Sequence, residues 1–112
     1  MLKIAVLLFL LAAIGGLIMA VLNYRKKNIP LILALGHGLL AAAGLVIFIV
    51  ALISASTGSL LTISLILFIV AALGGFVLFS FQLRNQLLPS TMVLIHGLVA
   101  VSAFVLLLIS VV

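Results

Sequence analysis

Two histidines, His37 and His96, are the only imidazoles in the chain, and both sit inside long apolar runs. The first lies in "LILALGHGLLAAAGLVIFIV", residues 31–50, with a glycine on either side. Each follows a proline, Pro30 or Pro89, by seven residues, which is about 10 Å of helix at 1.5 Å per residue. A polar ring buried among hydrocarbon is costly unless it has a partner, so an ionisable residue in such a run marks a candidate site. A neutral imidazole ligates metal through one ring nitrogen while the other donates to a carbonyl or water. Two imidazoles at one depth, on helices that face each other, can grip one metal centre from opposite sides.

What the sequence lacks narrows the chemistry further. It has no Cys, which excludes disulfides, thiolate metal sites and thiol nucleophiles. It has no Asp or Glu, the usual carrier groups of proton-coupled and cation-coupled transporters. Ser54, Ser56, Thr57 and Ser59 cluster in one short polar turn, away from either histidine, so no hydrolytic triad, carboxylate pair or phosphate-binding loop can be assembled. Met92, one turn before His96, and Met19, near Gly16, would suit a copper(I) site, although methionine in an apolar helix is usually filler.

The histidine-bearing runs belong to a chain that is 70% hydrophobic, with a mean hydropathy of +1.83. Such a composition implies an integral membrane protein whose first partner is the lipid bilayer. The five Lys and Arg give a net charge of +5, which reports topology here rather than nucleic-acid binding. Arg25, Lys26, Lys27 and Arg84 fall in the first and third connections, and the second, "SASTGS", has no charge. The positive-inside rule then places those two connections in the cytoplasm and both termini outside, with Lys3 dissenting, in what we expect to be a bacterial inner membrane.

Breakers divide the chain into four helices, over residues 2–23, 30–53, 60–82 and 89–112. Pro30 and Pro89 stand where the second and fourth helices should begin, a position that tolerates a missing amide hydrogen. Short connections make neighbours antiparallel, so the expected fold is an all-α membrane protein, a four-transmembrane-helix up-down bundle forming a single domain over 1–112. The first 20 residues look superficially like a signal peptide. Sliding the chain by 59 residues argues otherwise, because it overlays "FLLAAIGGLIMA" on "FIVAALGGFVLF", Arg25 on Arg84, Pro30 on Pro89 and "LGHGLLA" on "LIHGLVA". Sixteen of 53 overlaid positions are identical, ten of them not Leu, Ile or Val. We therefore expect two tandem parallel hairpin repeats, residues 1–53 and 60–112.

That repeat puts both histidines in one layer. Gly15, Gly16, Gly74 and Gly75 reach the same level, since Gly16 and Gly75 each precede the shared arginine by nine residues, or about 13 Å. Ala34, Ala41 and Gly44 surround His37 at helical spacing, and Val93, Ala100 and Ala103 surround His96. One reading of the layer is close packing alone, with small residues letting the helices approach and each histidine bonded to a backbone carbonyl. The other is a haem pocket. In it His37 and His96 are axial ligands across the bundle, the four glycines give clearance to the ring, and Arg25 and Arg84 face the propionates.

The histidine-glycine layer resembles that of b-type membrane cytochromes, in which paired histidines on bundle helices hold haem edge-on. The chain also looks like small four-span bacterial membrane proteins. The cytochrome resemblance implies one low-spin haem b ligated by His37 and His96, and a role in electron transfer. Such cytochromes usually carry four histidines and two haems, and two histidines allow one haem per chain, near the cytoplasmic face. A quinone, a redox partner protein or a second copy in a homodimer would then complete the path. The alternative function is a cofactor-free accessory or scaffold subunit of a larger membrane complex.

Overall fold

The computed structural model describes residues 1–55 and 58–112; Ser56 and Thr57, in the expected external turn, lie outside the described residues. Four helices form, α1 (Leu2–Tyr24), α2 (Leu31–Ser54), α3 (Ser59–Leu83) and α4 (Ser90–Val111). Each is long and apolar enough to cross a membrane, since 22 to 25 residues span about 33–38 Å against a hydrocarbon core of about 30 Å. The expected ends are met to within a residue.

One small difference is instructive. Pro30 and Pro89 are not the first helical residues but the caps before them, with ψ of 135° and 124°. Their carbonyls start the helices by accepting from Ala34 at 3.3 Å and from Val93 at 3.0 Å. Proline has no amide hydrogen to leave unpaired there.

α1 and α3 end alike. Lys26 and Asn85 take left-handed conformations, with φ of 58° and 56°. Behind them Lys27 N–H bonds the Leu22 carbonyl at 2.9 Å and Gln86 N–H bonds the Phe81 carbonyl at 2.9 Å. This is the Schellman closure, which satisfies carbonyls that a helix end leaves orphaned. Every one of these positions has its counterpart 59 residues away.

The helices pack in ring order, α1 on α2, α2 on α3, α3 on α4 and α4 on α1. Contacts within each sequential hairpin, α1 with α2 and α3 with α4, are far more extensive than those between hairpins. A seam therefore runs through the bundle between the two hairpins. The bundle is elongated, 44 × 23 × 21 Å.

Across that seam, the half of the core near the termini is closed by aromatic rings. Phe9 of α1 and Phe68 of α3 stack with centroids 3.9 Å apart and planes 8° apart, and Phe48 meets Phe68 edge-on at 6.0 Å. Gly44 makes room for the stack, because a Cβ there would come within 3.1 Å of the Phe9 ring. Ser64, fully buried, donates to the Ala103 carbonyl at 2.7 Å, and Leu107 completes the layer. Phe9, Phe48 and Phe68 thus form the centre of the core.

At the opposite end the hairpins are tied by a reciprocal pair of side-chain amides. Asn23 Nδ2 donates to the Leu88 carbonyl at 3.1 Å, and Gln82 Nε2 donates to the Ile29 carbonyl at 3.0 Å. Asn23 is buried, so its bond is shielded from competing water. Interhelical bonds of this type contribute about 0.6 kcal/mol on average in apolar surroundings, and up to about 1.7. Asn23→Ala should lower stability by about 1 kcal/mol, and Gln82→Ala by no more. Denaturant titration in mixed micelles, followed by circular dichroism, measures both losses, and the double variant should show their sum because the two bonds share no atom.

Candidate functional site

Between the phenylalanine stack and the amide ties lies the histidine layer. His37 projects from α2 and His96 from α4, helices on opposite corners of the ring, and both rings are half-buried in the interior. Their centroids are 6.4 Å apart and their planes 79° apart. The two residues paired by the 59-residue offset thus face each other across the bundle.

The first ring is fixed by one bond. His37 Nδ1 lies 2.6 Å from the Ala12 carbonyl of α1. A carbonyl oxygen only accepts, so Nδ1 carries the hydrogen and, in the neutral ring, Nε2 carries the lone pair. That is the tautomer in which a histidine can ligate through Nε2. Nε2 has no hydrogen-bond partner among the described residues and is not sealed from contact.

The second ring is nearly equivalent. The backbone of Ala71, counterpart of Ala12, lies beside His96, whose buried Nδ1 makes no hydrogen bond as well formed as that of His37.

The glycine pairs explain how the rings lie so close to α1 and α3. A Cβ on Gly16 would stand 2.9 Å from His37 Cε1, and one on Gly15 would stand 3.7 Å from His37 Cβ. On the other side Gly75 would bring a Cβ to 3.3 Å from His96 Cε1, and Gly74 to 3.6 Å from His96 Nδ1. The clearance expected for a macrocycle edge is thus taken up by the imidazoles themselves. Of the four, Gly16 is the one whose side chain the fold cannot add without moving the ring.

The other expected site residues lie further out. Arg25 and Arg84 are exposed at the ends of α1 and α3. Arg84 folds back on its own helix, donating to the Ser80 carbonyl from Nε at 3.2 Å and lying 4.9 Å over the Phe81 ring. Met92 lines a cavity beside His96, whereas Met19 does not. Among the described residues, no group of three or more His, Cys, Asp or Glu side chains comes together.

Asn23, Gln82 and Ser64 escaped the reading by identity, because the overlay pairs Asn23 with Gln82 and Ala5 with Ser64. Scoring the overlay by hydrogen-bonding chemistry would have flagged the first pair. No protein-family model matches the chain, and no curated protein or solved structure matches it.

The geometry sets an order for three glycine substitutions. Alanine gains about 0.8–1 kcal/mol over glycine in a helix, so a site with free space should be stabilised. Gly36 has nothing within 4 Å of an added Cβ, while Gly16 has an imidazole carbon at 2.9 Å. Gly36→Ala should raise the unfolding midpoint, Gly75→Ala should leave it nearly unchanged, and Gly16→Ala should lower it. Thermal unfolding of the three variants in one detergent checks the ranking.

Proposed function

We propose that the chain is an integral membrane protein, built as two tandem hairpin repeats, that holds one haem b through His37 and His96 for electron transfer. The cytoplasmic ends of the helices carry Arg25, Lys26, Lys27 and Arg84, and both termini lie outside. The observation that carries the haem reading is the pair of facing imidazoles. A metal ion about 2.0–2.1 Å from each of two imidazole nitrogens leaves the ring centres about 6 Å apart. In the structure the centroids are 6.4 Å apart.

The donor chemistry fits iron. Ala12 holds the proton of His37 on Nδ1, which leaves Nε2 to ligate. His37 and His96 stand on different hairpins, so a group held by both would lie on the seam between them. Phe9, Phe48 and Phe68 close the layer on the side of the termini and keep water from reaching it there. Arg25 and Arg84, exposed at the ends of α1 and α3, would be the cations offered to the anionic edge of the group, Arg84 after leaving Ser80 and Phe81. The bound group supplies a one-electron couple; the protein sets its ligands, its burial and its orientation.

The full chain purified in mild detergent from haem-replete cells should carry a pigment. Oxidised and dithionite-reduced absorption spectra should show a Soret shift with resolved low-spin α and β bands. His37→Ala and His96→Ala should each abolish that signature while the far-ultraviolet helical spectrum persists. Colourless protein that stays colourless after haem is offered would remove the reading and favour the cofactor-free accessory subunit.

A further inference from the structure

At the end of the bundle that carries the termini, a cavity of about 570 Å³ is bordered by all four helices. Leu2 and Lys3 come from α1, Ala51 and Ser54 from α2, Leu61 from α3 and Ser110 from α4. Leu2 with Leu61, and Ala51 with Ser110, are counterparts at the 59-residue offset, so the cavity lies centrally between the two hairpins. One turn deeper Phe48 and Leu107 are fully buried, which makes the aromatic core its floor.

Lys3 is the one cation that dissents from the charge pattern of the connections. It stands at the opposite end from Arg25, Lys26, Lys27 and Arg84, its counterpart is the uncharged Thr62, and the sequence has no Asp or Glu to pair with it. The two serines are committed in a complementary way. Each hydroxyl donates to the carbonyl four residues back, Ser54 to Val50 at 2.7 Å and Ser110 to Leu106 at 2.8 Å. With its single hydrogen used, each oxygen has only lone pairs left to offer.

We propose that this cavity binds a glycerophosphate group, an anionic phosphate ester with free hydroxyls, whether borne on a membrane lipid or free in solution. Lys3 takes the phosphate, and the hydroxyls of the ligand donate to Ser54 and Ser110. None of these residues belongs to the haem site, so the binding goes beyond that reading. An ammonium without a carboxylate calls for an anion, and charge-assisted bonds to phosphate are the strong ones. Serine oxygens left as acceptors select a ligand with O–H groups, because a bare phosphate would set lone pairs against lone pairs. Leu2, Ala51 and Leu61 give the carbon skeleton an apolar wall, and the volume falls within the range of about 300–1,000 Å³ of small-ligand pockets. A lysine in the first turn of a spanning helix also reaches the level of lipid phosphates.

The test uses the full chain in neutral detergent micelles without added haem. Binding is counted by native mass spectrometry and located by the Nζ resonances of 15N-lysine. Dioctanoyl phosphatidylglycerol should saturate one site and move the Lys3 resonance more than those of Lys26 and Lys27. Dioctanoyl phosphatidylethanol, with the same charge and no headgroup hydroxyl, should bind at least tenfold more weakly, and so should zwitterionic dioctanoyl phosphatidylcholine. Lys3→Gln should lower the affinity at least tenfold, whereas Lys27→Gln should leave it unchanged. The double variant Ser54→Ala/Ser110→Ala should erase the preference over phosphatidylethanol. If sn-glycerol 3-phosphate binds within tenfold of the lipid, the site takes the free ester; weaker binding assigns it to the lipid headgroup.

Equal binding of phosphatidylethanol to the unaltered chain would overturn the recognition of hydroxyls. Unchanged affinity in Lys3→Gln would overturn the site, and since Lys3 is exposed its replacement leaves the fold intact, which circular dichroism checks. All binding is read without haem, so its failure and the failure of the haem reading are separate results.

Discussion

An imidazole surrounded by apolar helices must give its N–H to something, and in this bundle the nearest acceptor is a backbone carbonyl on the adjacent helix. Helical carbonyls are already engaged in their own ladder, and reaching one with a ring requires the two backbones to approach closely. Gly16 permits that approach, Ala12 supplies the oxygen, and the ring of His37 is locked with its other nitrogen free. The orientation of the His37 ring and the availability of its Nε2 follow from this bond.

Around that layer the bundle separates its duties by level. The half near the termini has an aromatic core, with Phe9 on Phe68 and Phe48 against them. The opposite end is a polar latch, Asn23 and Gln82 each reaching across to the residue before the other hairpin's proline. The histidines stand between the aromatic core and the amide ties, on different hairpins.

The elements were legible in the sequence because breakers and apolar length act locally. "NYRKKNIP" and "LRNQLLP" mark the same turns that the left-handed Lys26 and Asn85 close. The pairing of His37 with His96 was legible through the 59-residue overlay, and so was the arrival of the glycine pairs at the same level. What those glycines touch was not, since a glycine in a helix indicates only that something approaches, and whether that is a macrocycle or an imidazole depends on ring orientation. Phe9 and Phe68 also coincide in the overlay, yet their stacking needs the diagonal placement of α1 and α3. The difference between the His37 and His96 bonds leaves no trace in residue type, since Ala12 and Ala71 are the same residue in the overlay.

The most direct measurement is solid-state NMR of the protein in bilayers, with histidine as the only 13C- and 15N-labelled residue. With two histidines in the chain, every inter-residue signal reports this pair. The account predicts a through-space contact between the rings, consistent with centroids near 6.4 Å, and a His37 ring protonated on Nδ1 and bare on Nε2. Absence of the inter-ring contact, or a His37 proton on Nε2, would contradict it.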